Sequence, residues 1–210
     1  MFIKCLKVGP IGTNCYILCD TISGEAAVID PGADAARIAA AVTDTGCRPR
    51  YILLTHGHWD HQGAVEALRE QTGASVAALS GELGLIADPS MCLFDSFGTG
   101  RFVPARVDSA MGDGDTLPFG NLELRFIATP GHTSGSCCII CQDCLFSGDT
   151  LFRGDSGRTD LPTGSAQDIK TSLRKLAALP GEYRVFPGHE ELTTMSYERE
   201  NNPLLREDAR

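Results

Sequence analysis

No stretch of this chain is apolar for long enough to cross a bilayer as a helix, a span that takes about 20 residues, so a membrane-embedded protein is excluded from the expectations. The opening Met1-Phe2-Ile3-Lys4-Cys5-Leu6-Lys7 lacks the apolar core and small-residue cleavage site of a secretory leader, and a cytoplasmic location is expected. Positive charge is in short supply: 18 Lys and Arg against 27 Asp and Glu give a net charge of -9. Phosphate backbones need a clustered basic surface, so neither nucleic acid nor a membrane is expected as a partner, and a small-molecule substrate is. Histidine is scarce as well, five in 210 residues, which makes the placement of each one informative. What remains is ordinary: 42% apolar and 21% charged residues, as in a folded globular protein, and a length that fits one domain over 1–210.

Three of the five histidines fall in Thr55-His56-Gly57-His58-Trp59-Asp60-His61, directly after the apolar run Tyr51-Ile52-Leu53-Leu54. The run reads as a buried strand, and Ala64, Val65 and Leu68 resume at helical spacing beyond it. The motif is therefore expected on the loop between the carboxyl end of a strand and a helix, where a rigid scaffold presents functional groups. Imidazole nitrogens and a carboxylate at this density suit zinc, iron or manganese. His56 and His58 can lean to one side of an extended turn while Asp60 and His61 reach another, which suggests two adjacent metal positions.

Each of the other two histidines follows an apolar run in a rigid turn, in Thr129-Pro130-Gly131-His132 and in Phe186-Pro187-Gly188-His189. Asp149 follows Leu145-Phe146-Ser147-Gly148 by the same logic: a strand carries the chain up, glycine allows close approach, and a carboxylate is presented. The nine cysteines read differently. Cys138, Cys141 and Cys144 have a spacing that mimics an iron–sulfur or zinc site, but strands over 136–141 and 144–147 around a Gln142-Asp143 turn would point Cys138 and Cys141 to opposite faces. Buried thiols acting as small apolar groups are expected instead, without a permanent disulfide between Cys141 and Cys144 in a reducing compartment.

Along the chain, strands are expected at Phe2–Val8, 14–19 and 26–29, the last stopped by Asp30-Pro31-Gly32. A helix over 34–45, with Asp34 as N-cap and Gly46 closing it, precedes the 51–54 strand, the motif loop and a helix over 63–72. A strand at Ser75–Leu79 and a short helix over 82–86 come next. Residues 88–112 lose periodicity and are expected to form a loop edging the active site. Strands at Leu122–Ala128, 136–141 and 144–147, a helix over Ala166–Ala177, a strand over 184–186 and a helix over 192–201 complete the pattern. Strands with helices on both outer faces imply an α/β fold, a four-layered αββα sandwich.

Thr-His-Gly-His-Trp-Asp-His, Pro-Gly-His-Thr, Ser-Gly-Asp-Thr-Leu-Phe and Pro-Gly-His-Glu, in that order, resemble the metallo-β-lactamase superfamily, and within it the glyoxalase II-like hydrolases of the short, single-domain branch. Gly12-Thr13-Asn14-Cys15-Tyr16, Gly157-Arg158-Thr159-Asp160-Leu161-Pro162 and Tyr197-Glu198-Arg199-Glu200-Asn201-Asn202-Pro203 extend the likeness nearly end to end. The resemblance implies two divalent metal ions, zinc by expectation with iron or manganese as alternatives. His56, His58 and His132 would hold one, Asp60, His61 and His189 the other, with Asp149 bridging. A hydroxide between the metals would attack the carbonyl of a small acyl thioester such as hydroxyacylglutathione, and Asp60 would orient it and receive its proton. Arg158 matches the family's basic position for the thiol carrier, whereas Asp160 and Glu191 stand where tyrosines are expected. The resemblance leaves three other readings: a persulfide dioxygenase using one iron on a His-His-Asp set, a lactonase or β-lactamase, and a non-catalytic module stapled by metal. Retention of all seven ligand positions favours hydrolysis, and the oligomeric state is left open.

Overall fold

The computed structural model describes residues 1–206 of the chain, arranged as two six-stranded sheets packed face to face with helices on both outer sides. The first sheet takes β1 (Phe2–Val8), β2 (Thr13–Asp20), β3 (Glu25–Ile29), β4 (Arg48–Leu53), β5 (Ser75–Leu79) and β6 (Ser109–Met111), in that spatial order. The β1, β2 and β3 strands form an antiparallel meander, after which β3 through β6 run parallel. The intervening helices are α1 (Ala35–Thr43), α2 (Trp59–Gln62), α3 (Val65–Thr72), α4 (Leu83–Ala87) and α5 (Phe94–Phe97).

The second sheet uses β7 (Thr116–Phe119), β8 (Leu122–Ala128), β9 (Cys137–Cys141) and β10 (Cys144–Gly148). A small separate hairpin follows, β11 (Leu151–Phe152) with β12 (Asp155–Ser156), then α6 (Ala166–Ala177), β13 (Arg184–Pro187), β14 (Thr193–Thr194), α7 (Met195–Asn201) and α8 (Pro203–Arg206). The order in the second sheet is β14-β13-β10-β9-β8-β7, with β13 parallel to β10.

The sequence alternates so that every central strand supplies two cores. Tyr16 and Leu18 of β2, Ala27 and Ile29 of β3 and Leu53 of β4 face Phe126, Ile139 and Phe146 of the second sheet. Their neighbours Ile17, Val28 and Ile52 turn outward to pack with Ile38 and Val42 of α1 and Leu68 of α3. On the far side Cys138, Ile140 and Leu145 meet Ile169, Leu173 and Leu176 of α6. This is the expected αββα sandwich. It also explains the cysteines: all nine are free, Cys137 and Cys141 point into the intersheet core, and Cys138 points to the helix side. Cys141 and Cys144 are register partners across the hairpin without bonding, as expected.

Several local expectations needed correction. Asp34 precedes α1 but sits in the left-handed region (φ 59) and gives the helix no side-chain cap; its carboxylate accepts the Gly9 N–H instead. The aperiodic segment 88–112 contains α5 and, at its end, β6, the parallel edge strand of the first sheet. The β7 strand was missed because Pro118 breaks its alternation. Pro118 is tolerated because β7 is an edge strand, and the two-residue Gly120-Asn121 turn that pairs Phe119 with Leu122 was the available signal. The helix expected to begin at 192 begins at Met195, after the short β14, and the one expected over 63–72 is α3, set apart from the turn of α2.

Candidate metal centre

Five chain segments leave carboxyl ends of strands at one edge of the sandwich: Asp30 after β3, Thr55 to His61 after β4, His132 after β8, Asp149 after β10 and His189 after β13. The seven side chains singled out from the sequence meet there. His56, His58 and His132 form one group of convergent donor atoms, Asp60, His61 and His189 another, and His56, His61 and Asp149 a third that overlaps both.

In the first group His56 Nε2 is 3.1 Å from His58 Nδ1, and His132 Nε2 is 2.9 Å from the same atom. The outer nitrogens decide what these atoms carry. His132 Nδ1 lies 2.7 Å from the Arg158 carbonyl, which can only accept, so the proton is on Nδ1 and a lone pair on Nε2. The Thr55 hydroxyl donates to Asp30 Oδ2 (2.6 Å), so it accepts from His56 Nδ1 (3.2 Å), and His56 Nε2 also carries a lone pair. Burial and the surrounding imidazoles push the His56 and His58 rings down, His58 to about 3, so both are neutral at physiological pH. Three buried imidazole nitrogens with at most one proton among them form a donor set that fits a divalent cation.

The second group is built on charge. His61 Nδ1 lies 3.0 Å from Asp30 Oδ2, while its Nε2 faces Asp60 Oδ2 (3.3 Å), Asp149 Oδ1 (3.5 Å) and His189 Nε2 (3.4 Å). His189 Nε2 is 3.1 Å from Asp60 Oδ2, which also accepts from the Thr13 hydroxyl at 2.9 Å. Burial opposes the charged His61 ring, but Asp60, Asp30 and Asp149 outweigh it and raise its pKa well above the ordinary value. Burial likewise raises Asp60, and His61, His189 and His56 more than reverse it, leaving its carboxyl far below the usual range. Asp149 lies between the groups: Oδ2 is 3.5 Å from His132 Nε2 and 3.6 Å from His189 Nε2, and the buried Oδ1 has no hydrogen-bond partner. Close approach at this point requires glycine, because a Cβ on Gly188 would run into Asp149 Oδ1 and stand 2.7 Å from His61 Cε1.

Three supporting residues were not recognised in the sequence. Asp30 reads in the sequence as part of a strand-stopping turn, yet its carboxylate accepts the Thr55 N–H (2.8 Å) and hydroxyl and lies 3.0 Å from His61 Nδ1. Glu82, fully buried, accepts the Gly57 N–H at 2.9 Å, and Gln62 Nε2 donates to the Gly57 carbonyl at 2.6 Å, so the peptide between His56 and His58 is clamped from both sides. Nothing in a single sequence marks a buried Glu or Gln as such a clamp; the Asp-Pro-Gly turn at a strand end beside the motif strand was the one available signal. Asn14 and Tyr16 of β2 hold the Pro187-Gly188-His189 turn across the sandwich, through Asn14 Nδ2 and the Tyr16 hydroxyl donating to the Pro187 carbonyl (3.0 and 2.6 Å).

A cleft of about 410 Å3 opens over the cluster, lined by His58, Asp60, His132, Asp149 and His189 at its floor. Leu93 and Phe97 from the 88–112 segment stand on its wall, as expected for a loop edging the site, and α5 is fixed there by Phe94 packed on Trp59 (4.7 Å between ring centroids). Arg158 also lines the cleft, but its exposed guanidinium is held by Asp160 through contacts of 2.7 and 2.6 Å.

The sequence pattern described as the metallo-beta-lactamase superfamily matches residues 8–189. The chain belongs to this superfamily. It is therefore a member of a family of metal-binding hydrolases, and the His and Asp donors imply divalent metals. Among relatives, the probable metallo-hydrolase YqgX of Bacillus subtilis is 35% identical over 95% of both chains. The hydroxyacylglutathione hydrolase GloC of Haemophilus influenzae is 31% identical over 98% of both. Among solved structures, the BLEG-1 B3 metallo-beta-lactamase is similar with a TM-score of 0.89 at 35% identity, over 97% of this chain and 99% of that one. TTHA1623, in a di-iron-bound form, gives 0.82 at 34% identity over 96% and 100%. ETHE1 from Myxococcus xanthus gives 0.81 at 29% identity over 97% and 84%. Among the described residues no helix is long and apolar enough to cross a membrane.

Proposed function

We propose that this superfamily member is a dinuclear metal-dependent hydrolase of a small acyl thioester or related ester, acting in the cytoplasm. The observation that carries the reading is the pair of three-residue donor groups, His56/His58/His132 and Asp60/His61/His189, with Asp149 between them. These residues and Asp149 would hold two divalent ions, and zinc suits the nitrogen-rich first group. Bound there, such ions supply Lewis acidity toward a carbonyl oxygen and lower the pKa of water.

The chain's own residues supply the rest. Asp60 is steadied by Thr13 and His189, so its carboxylate is held in place to orient an attacking water. His61 is turned toward the reaction side by Asp30, and Glu82 with Gln62 keeps His56 and His58 from moving apart. Leu93 and Phe97 shield one wall of the cleft from water. Arg158 stands at the rim as a contact for an anionic part of the thiol carrier. A thiolate leaves without strong acid assistance. The likeness to GloC of Haemophilus influenzae along nearly the whole length of both chains supports the thioester as substrate class.

The test is metal analysis of the purified protein followed by turnover of S-D-lactoylglutathione with and without a chelator. Two zinc ions per chain and chelator-sensitive hydrolysis are expected. One iron per chain, no hydrolysis and oxygen uptake on a persulfide would overturn the reading in favour of a persulfide dioxygenase. Hydrolysis of a β-lactam or lactone but no thioester would keep the metal centre and replace the substrate class.

A further inference from the structure

Beside the metal cluster lies a second, more enclosed cavity of about 190 Å3 that the mechanism above does not use. It shares Ile11, Asp60 and Phe97 with the main cleft, so the two spaces meet at one of the candidate metal ligands. Val8, Pro10, Ala33 and Trp59 line it together with the polar Thr99. Asp60, at the mouth, is the one ionisable side chain among the residues that line it. The Trp59 wall is stiff, because Phe94 and Phe102 pack on that ring with centroids 4.7 and 5.7 Å away. Ile11 and Phe97 are 51% and 58% exposed at the junction of the two spaces, a placement that an apolar ligand would reward. Most of the lining side chains are apolar, and an apolar cavity of about 150 Å3 is already large enough to take benzene.

We propose that this cavity is an acyl-chain subsite: an unbranched aliphatic acyl tail of about six carbons lies between Ile11, Phe97 and Trp59, with its thioester carbonyl at the Asp60 side of the main cleft. The proposal rests on the thioester reading and deepens it, because it makes a medium-length fatty acyl group, not a small hydroxyacyl group, the preferred substrate. It also gives a role to Trp59, which stands inside the metal motif yet contributes no donor.

The metal-loaded protein is assayed on N-acetylcysteamine thioesters from acetyl to hexanoyl, so that the carrier stays constant. Wild-type kcat/KM should rise about 100-fold across the series. Ala33→Leu, which fills the inner wall, and Phe97→Ala, which removes an exposed wall, should each lower the hexanoyl-to-acetyl ratio at least about tenfold. Trp59 is the chain's sole tryptophan, so its fluorescence reports occupancy without turnover. Neutral hexanamide should shift that emission in the wild type and not in Ala33→Leu. A flat chain-length profile, or emission unmoved by hexanamide, overturns the subsite. Emission that responds while no thioester in the series is hydrolysed overturns the thioester reading instead and leaves the apolar cavity standing as a binding site.

Discussion

The two donor groups sit side by side yet are prepared for metal in opposite ways. His56, His58 and His132 are 1–3% exposed, their facing nitrogens 2.9 to 3.1 Å apart, and the outer nitrogens of His56 and His132 face a hydroxyl and a backbone oxygen. Asp60 and His61 are pre-paired by charge, and His189 closes on Asp60 at 3.1 Å, with the Asp60 and His189 side chains each 21% exposed. The second group satisfies itself as a salt-bridge network and can exchange those contacts for a metal, water or substrate. On the hydrolase proposal, the buried set would hold a metal and the half-open set would meet water and substrate.

The strongest way to break this contrast is His58→Ala, which removes the nitrogen that both His56 and His132 face. Turnover is expected to fall more than about 100-fold with loss of tightly bound metal, read by elemental analysis and steady-state assay. Full metal content with full turnover would remove the first group from the centre. Thr13→Val sharpens the contrast, because it removes the hydroxyl that steadies Asp60 and touches no donor of the first group. Metal affinity at the second group should drop about 10- to 100-fold, seen as one weakened phase in a metal titration. Equal weakening of both phases would show that the groups are not separable.

The next effect is on acid stability of the chelated protein. His56 and His58 have folded pKa values below the unfolded value of about 6.5, so between pH 5 and 6.5 the unfolded chain binds more protons than the folded one. His61, raised, opposes this increasingly toward pH 6.5, where its unfolded ring is half deprotonated, but two lowered rings outweigh one raised ring. Stability should therefore rise with pH from 5 to 6.5, as an increase of several degrees in Tm in the presence of chelator. A flat profile would mean that the first group is charged and not crowded neutral. The smallest expected effect is that of Arg158→Ala, a several-fold rise in KM for an anionic thioester with kcat nearly kept, because its guanidinium is exposed and already shared with Asp160. An unchanged KM would return Arg158 to the surface.

Much of this was legible in the sequence, for identifiable reasons. The four-layered sandwich follows from strands that are apolar on both faces, such as β2 and β4, and from helical spacing on either side. The donors were legible because His56, His58, Asp60 and His61 crowd into one turn, while His132, Asp149 and His189 each follow a strand-ending turn. What was not legible depends on distance in sequence. Asp30 is 25 residues from the Thr55 it holds and looked like ordinary turn chemistry, and Glu82 is equally far from Gly57. Asp34 looked like a helix cap because residue type was visible and its left-handed backbone was not. Edge strands β6 and β7 escaped because three residues, or four with a proline, carry almost no periodicity.

The Asn14 and Tyr16 contacts to the Pro187 carbonyl have a consequence in time as well as in space. They span 173 and 171 residues, and the nearest histidine contacts between the two sheets span 74 and 128. Closing loops of that length is entropically slow compared with forming either hairpin-rich half, so the cluster is expected to be a late joint in folding. A cation that recognises only the joined arrangement would then act as a latch on the finished chain, making the appearance of bound metal a clock for the last step of its assembly.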